Sequence, residues 1–223
     1  MSWSHWLGTS VLAFVQVTAA RGADMPLYET GPSQDASFVR FVNGDVRVLE
    51  LSAAGSQASA RLDPRQPASA FFAVQANTSV KGKFKTAGLQ SDIALAVKPG
   101  EFATVVALPA AGGLTQAILR EQPDDFNALK VSLALYNIDP QCAAAGLNVV
   151  GRSAALFEGV ATGTLQRRAI NPVNISVQLL CSGKTAAATL ALGPLQAGQR
   201  YSVFVLPSKP GSRLFITADD VAR

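Results

Sequence analysis

The sequence predicts an all-β protein arranged as two tandem β-sandwich domains. One observation is a repeat: residues 97–120, VKPGEFATVVALPAAGGLTQAILR, return in pattern as LQAGQRYSVFVLPSKPGSRLFIT over residues 195–217. In each copy a Gly-containing turn, Pro99-Gly100 or Ala197-Gly198, leads into a short apolar strand ending Leu108-Pro109 or Leu206-Pro207. A Gly-rich or Pro/Gly-rich loop follows, then a strand mixing β-branched and polar residues. Proline cannot donate to a ladder and is expected to close the first strand, while glycine in the loop permits the positive φ that hairpin reversal uses. The second observation is punctuation: short β-branched and aromatic runs alternate with turn chemistry roughly every eight to twelve residues, as in a sandwich. Copies spaced by roughly half the chain fit two similar domains better than a solenoid, whose repeats span about 20 to 50 residues.

Composition agrees. A chain of 223 residues accommodates two ordinary domains, and 48% hydrophobic content with 15% charge excludes a disordered chain. Aromatic residues make up only 7%, which suits thin β-layers better than one massive core. The net charge of +4 is mild, and without an arginine-rich arm or a zinc or helix-turn-helix signature it gives no indication of a nucleic-acid partner.

At the N-terminus an apolar run over residues 6–17 precedes small residues and the cleavage triplet Ala20-Arg21-Gly22, with Thr18-Ala19-Ala20 as the other candidate. Residues 1–22 therefore read as a secretory signal, although MSWSH holds no Lys or Arg and leaves room for a start site further upstream. The competing reading, a membrane anchor, would need roughly 20 apolar residues, more than this run supplies. Pro26, Gly31 and Pro32 forbid a long regular element, so residues 23–36 are expected to form an N-terminal arm.

The first sandwich is expected over 37–122. Its first strand is SFVRFVN at 37–43, with 46–52 pairing to it across Gly44-Asp45. Further strands are expected at 57–62, 70–75, 79–86, 92–97, 103–108 and 115–121. PDDFN at 123–127 is polar and Pro-initiated, and marks the domain boundary. The second sandwich, 128–223, opens with LKVSLALYN at 129–137, in the place that SFVRFVN holds in the first; both end in Asn. Its remaining strands are expected at 147–150, 156–160, 164–169, 174–181, 186–192, 202–206 and 214–217. No amphipathic helix is sustained after Ala23, although the alanine clusters at 143–145 and 186–188 could support a helical turn or two.

Export gives the cysteines a meaning. Cys142 and Cys181 are the only two, and an even count in an oxidising compartment is the arrangement expected for one disulfide. The competing reading is two free buried thiols; a CxxC redox pair is excluded by the spacing, and a zinc site would lack other soft ligands.

For catalysis the informative feature is a missing residue type. His5, inside the expected signal, is the only histidine, so the mature chain would offer no Ser-His-Asp or Cys-His nucleophile and no histidine-held metal; G-x-S-x-G is also lacking. Neither a metal nor a cofactor is expected. The pairs Asp124-Asp125 and Asp219-Asp220 point to opposite faces of an extended chain and read as a solvated loop and terminus. Gly183-Lys184-Thr185 resembles the tail of a phosphate-binding loop, but its leading glycine would fall at Gln178, so Ser182-Gly183 reads as a hairpin turn. The sequons at Asn77 and Asn174 read as coincidental.

One charged pattern stands out. SVKGKFKT places Lys81, Lys83 and Lys85 two apart, on one face of one strand, as a basic stripe about 13 Å long that could follow the carboxylates of an acidic polysaccharide. The alternative, and the one base rates favour, is an edge strand guarded by lysine against sheet-to-sheet pairing. Arg40, between Val39 and Phe41, is a second candidate for polymer or partner binding; otherwise it is an exposed strand position.

Leu27-Tyr28, Gly31-Pro32 and Ala36-Ser37-Phe38-Val39-Arg40-Phe41-Val42-Asn43 resemble the start of the mature AlgF family of alginate biosynthesis proteins, periplasmic accessory proteins of exopolysaccharide O-acetylation. Lys130-Val131-Ser132-Leu133-Ala134-Leu135-Tyr136-Asn137 is similar to that family's second-domain strand, while the cysteine pair and the insertion around residues 141–152 depart from its pattern. The resemblance implies a non-catalytic periplasmic adaptor with its signal cleaved. Its implied partners are acetyltransferase-machinery proteins in the periplasm or inner membrane. It would help place acetyl groups on alginate or, as related systems do, on cellulose. The alternative is a polysaccharide-binding sandwich with no role in acetyl transfer.

Overall fold

Strands are the regular elements throughout the described residues, and they come in two matching sets of eight. The computed structural model describes residues 36–122, 127–152 and 154–222. The expected signal, the arm up to residue 35 and residues 123–126 of the expected boundary lie outside the described residues. The first set is β1 (Ala36–Asn43), β2 (Leu49–Ala53), β3 (Ser59–Leu62), β4 (Phe72–Gln75), β5 (Ser79–Thr86), β6 (Leu89–Ala96), β7 (Phe102–Ala110) and β8 (Gly113–Glu121). The second is β9 (Val131–Asn137), β10 (Ala144–Val149), β11 (Ala155–Ala161), β12 (Thr164–Ile170), β13 (Val173–Cys181), β14 (Lys184–Leu195), β15 (Arg200–Pro207) and β16 (Ser212–Ala218). The alanine clusters fall in β10 and β14: alternation with apolar neighbours places them in ladders and overrides alanine's helical preference.

The two sets fold alike. The first makes the sheets β4-β1-β7-β8 and β3-β2-β5-β6, and the second makes β12-β9-β15-β16 and β11-β10-β13-β14, the same order shifted by eight strands. Each set contains one parallel pair, β1 with β7 and β9 with β15, at equivalent positions. The β5–β6 and β13–β14 hairpins turn through Ala87-Gly88 (φ 44° and 81°) and Ser182-Gly183 (φ 51° and 76°). Positive φ at both central residues is the primed turn whose twist matches that of the flanking strands.

One pairing expectation is corrected. Residues 46–52 were expected to pair with the first strand, but β2 pairs with β3 and β5 in the other sheet. The reason lies at Gly44, whose N–H donates to the Ala107 carbonyl at 2.8 Å and where a Cβ would stand 2.5 Å from that oxygen. Glycine lets the chain turn hard against β7 and cross to the other sheet. Pro109 and Pro207 were expected to close their strands; β15 ends at Pro207 and β7 one residue past Pro109, at Ala110, and the two prolines pair with Leu114 and Ser212 at the ends of their ladders. Each sits past the last residue paired with the parallel neighbour, Ala107 or Val205, where the ladder is one-sided and tolerates a missing donor.

All described residues belong to one compact unit, built as four stacked sheets. The two outer sheets, β3-β2-β5-β6 and β11-β10-β13-β14, show alternating burial on strands such as β6 and β13. The inner strands β1, β7, β9 and β15 are buried on both faces over most of their length, as near-continuous apolar runs such as ATVVA and SLALY require. Each sandwich has its own core, one around Phe41, Leu49, Phe84 and Val105, the other around Leu135, Leu147, Leu179 and Val203. A third apolar cluster joins Val42, Val106 and Leu119 of the first half to Tyr136, Phe204 and Leu206 of the second. The expected halves 37–122 and 128–223 hold β1–β8 and β9–β16, but the C-terminal tail crosses over: Phe71 donates to Asp220, Ala222 donates to Phe71, and Phe71 bridges to Val221.

Candidate functional site

Lys81, Lys83 and Lys85 lie on the solvent face of β5, as their spacing predicts. β5 lies between β2 and β6, so the stripe does not guard an edge, and that favoured reading is corrected. The stripe is also partly answered by acids. Lys85 stands in register with Glu50, and Lys83 with Asp92, at 3.5 Å between Nζ and a carboxylate oxygen. Exposed pairs of this kind contribute roughly 0 to 1 kcal/mol. Lys81 faces Ala94 and has no acid directly across from it in its ladder.

Arg40 is not a surface residue, a second correction. It is 0% exposed, pointing from β1 into the seam between the two inner sheets. Its Nε donates to Thr104 Oγ1 at 2.9 Å, one terminal nitrogen to Ser202 Oγ at 2.8 Å and the other to Asp219 Oδ1 at 2.6 Å. The guanidinium lies 4.5 Å from the Phe71 ring centre, 5.0 Å from Tyr136 and 4.9 Å from Phe204. Arginine's planar, weakly hydrated cation suits such a site, with ring faces above and below and hydrogen bonds at its rim.

The same seam buries a second arginine. Arg167 on β12 donates from Nε and a terminal nitrogen to both oxygens of Glu121, at 2.8 and 2.9 Å, and to Asp219 Oδ2 at 2.8 Å. Tyr136 adds its hydroxyl to Glu121 at 2.7 Å. Asp219, expected in a solvated terminus, is the hub of the cluster, with its side chain 2% exposed and both oxygens bonded to arginines. Burial alone would push its pKa up, but the charges of Arg40 and Arg167, with the hydrogen bonds of Ser202 and Arg167, hold it below its ordinary value. Burial likewise opposes the charge of Arg167, and Glu121 and Asp219 outweigh it, raising that pKa. Asp220, next to it, is exposed.

The sequence contained a signal for this cluster. Aligning the two Leu-Pro hairpins makes Thr104 equivalent to Ser202 and Glu121 equivalent to Asp219. Equivalent hydroxyls thus flank Arg40 and equivalent acids flank Arg167, across a seam where equivalent sheets face each other. Arg167 itself carried no pattern that marked it, lying in a strand of mixed polar and apolar residues.

A second duplicated device closes β1 and β9. Asn43 donates to the carbonyls of Arg47 and Leu62, and Asn137 to those of Cys142 and Val160. Each Asn also accepts the N–H two residues on, from Asp45 or Asp139. The loop that follows is held differently in each half. In the first, Arg47 Nε reaches Asp45 at 3.0 Å; in the second, the expected Cys142–Cys181 disulfide is formed, with a Cα–Cα distance of 4.9 Å, and ties the loop to β13. Burial would raise the pKa of Asp45, and the hydrogen bonds from Arg47 and from the Val46 and Arg47 N–H groups lower it on balance. Arg213 on β16 joins the halves here, donating to the carbonyls of Asn43, Asp45 and Pro64.

The disulfide is the covalent mark of an extracellular or periplasmic protein. Among the described residues no group of three or more His, Cys, Asp or Glu side chains is placed to hold a metal ion. The buried acids and arginines bond to one another within the seam, an arrangement that fixes the packing of two sheets.

No protein-family model matches the chain, and no curated protein matches it. Among solved structures it is similar to the C-terminal domain of AlgF from P. aeruginosa, at 18% identity and a TM-score of 0.34, over 40% of this chain and 98% of that one. It is also similar to a candidate cell adhesion protein from Bacteroides ovatus, at 9% identity and a TM-score of 0.28, over 85% of this chain and 99% of that one. Another from Bacteroides fragilis matches at 11% identity and a TM-score of 0.23, over 78% of this chain and 84% of that one.

Proposed function

We propose that the chain is a non-catalytic accessory protein for O-acetylation of an exopolysaccharide, alginate or cellulose, exported to the periplasm with its signal cleaved. It bridges acetyltransferase components in the periplasm or inner membrane and performs no bond-making itself. The observation that carries this function is the resemblance of residues 27–43 and 130–137 to the AlgF family. Support comes from two further features. The disulfide fits an oxidising compartment, and the ionisable residues gathered in the seam bond to one another across two sheets, as a scaffold's would. Deleting the gene is expected to abolish polymer acetylation while leaving polymer synthesis intact. Unchanged acetyl content of the polymer would end this reading.

A second reading, polysaccharide binding without a role in acetyl transfer, is favoured by the placement of Lys81, Lys83 and Lys85 inside a sheet, where edge protection does not account for them. Affinity for alginate would then fall steeply with salt and with Lys83→Glu, because exposed charges are screened beyond about 8 to 10 Å. Salt-independent binding, or none, removes it.

A further inference from the structure

The two halves share one topology, so each serves as a control for the other. Aligned on the hairpins Ala87-Gly88 and Ser182-Gly183, Lys81, Lys83 and Lys85 of β5 correspond to Ser176, Gln178 and Leu180 of β13. The fold therefore does not require cations on this strand. Across the outer face of β3-β2-β5-β6, Arg61, Glu50, Lys85 and Gln90 form one row and Ser59, Ser52, Lys83 and Asp92 the next, with Lys81 beside Ala94 beyond them. Arg61 is thus a fourth cation on the face, two strands from Lys85, where neighbouring strands stand about 4.8 Å apart and alternate residues of one strand about 6.6 Å. Two shallow depressions, of about 320 and 560 Å³, lie along this face and share Lys85 in their linings, so the face is a trough. The acids on it do not close it: the Asp92 side chain is 82% exposed, and its exposed pairing with Lys83 is weak enough for a ligand carboxylate to replace.

We propose that this trough binds a linear chain of carboxylated sugars, a polyuronate, with its carboxylates over Arg61, Lys85, Lys83 and Lys81. The inference rests on the polysaccharide-binding reading and narrows it to an acidic polymer and to one face of the first half. Three features choose this ligand. The β5 cations lie in a line, as the successive charges of a linear chain do. None of the large exposed apolar side chains among the described residues belongs to these four strands. The face therefore lacks both the apolar centre of a protein interface and the residues with which a peripheral protein enters a membrane. Ser52, Ser59 and Gln90, standing among the cations, supply hydrogen bonds for sugar hydroxyls. The wider surface also favours an anion. Burial withdraws Asp45, Glu101, Glu121, Asp139 and Asp219 from it, against the cations Arg40 and Arg167, so what remains outside is more basic than the net charge of +4 implies.

The test uses the full chain and a fluorescein-labelled oligogalacturonate, followed by anisotropy. Saturable binding is expected, weakened about tenfold when salt is raised from roughly 0.1 to 1 M, which shortens the Debye length from about 10 to 3 Å. A neutral cello-oligosaccharide should not compete. Arg61→Glu and Lys81→Glu should each weaken binding about tenfold without moving the thermal midpoint, since both side chains are exposed. Arg152→Glu, the same charge change beside the outer face of the second half, should leave the affinity unchanged. Equal loss in all three variants, or no loss in Arg61→Glu and Lys81→Glu, would overturn this site while leaving polysaccharide binding standing. An oligogalacturonate that does not bind at all would remove both. Tighter binding to phosphatidylglycerol vesicles than to the oligogalacturonate, lost in the same variants, would assign the face to a lipid surface and overturn the proposal.

Discussion

Asp219 shows how much one side chain can decide when it is buried between opposite charges. Its two oxygens accept from Arg40 and Arg167, which come from different halves of the chain. Asp219→Ala would leave both guanidiniums partnered by less charge than they need in a dry seam, and breaking a buried pair in this way costs about 3 to 5 kcal/mol. A chemical-denaturation midpoint for that variant should fall accordingly. The pH dependence has a definite sign. Because the folded pKa of Asp219 is depressed, its contribution is fully present above the ordinary value of 3.8 and is lost as pH falls through the lower folded value. Tyr136 acts at the other end: burial, opposed by Arg40, raises its pKa, so its contribution is present below 10.0 and is lost as pH rises through the higher folded value. Thermal midpoints recorded against pH should be flat between these limits and fall outside them, and Asp219→Asn should make the acid limb shallower, leaving the part carried by Asp45.

The duplicated turn after β1 and β9 makes the same connection by two chemistries. Asn43 and Asn137 perform the same bonding, but an ion pair holds the following loop in the first half and a disulfide in the second. The two cysteines are separated by 39 residues, and closing a loop of that size is worth roughly 4 kcal/mol in the chain-entropy model. Replacing both cysteines by serine should therefore lower stability by about 2 to 4 kcal/mol while leaving the circular dichroism of the β-strands unchanged. The strand positions were legible because period-two alternation and turn residues are local signals. The partner of β2 was not, since pairing across Gly44 depends on how closely β7 approaches, which no local pattern records.

The two sandwiches are one structural unit. Tyr136, Phe204 and Leu206 are wholly buried only because the first half covers them, and the tail beyond β16 pairs with Phe71 of that half. Equivalent sheets meet face to face, as the two copies of a self-complementary dimer do, but within a single chain. Equilibrium unfolding should accordingly be a single transition by both fluorescence and circular dichroism. A chain limited to residues 128–223 should expose that apolar face and associate or melt well below the intact protein, as sedimentation and thermal scans would show. Two separate transitions, with the isolated half as stable as the whole, would contradict the shared seam.

Alternation, turn residues and the repeated Leu-Pro hairpin determined by themselves an all-β fold in two similar halves, with sixteen strands among the described residues; the disulfide was expected from the cysteine count, with two free thiols as the alternative. These features follow from neighbours a few residues apart, or from an even cysteine count in an expected oxidising compartment. Only the tertiary structure decided that the halves bury a face against each other, that Arg40 and Asp219 lie inside and that β5 is an inner strand of its sheet. A buried charge and an exposed one look alike in sequence; what separates them is the partner brought alongside from the other half of the chain, here about 180 residues away.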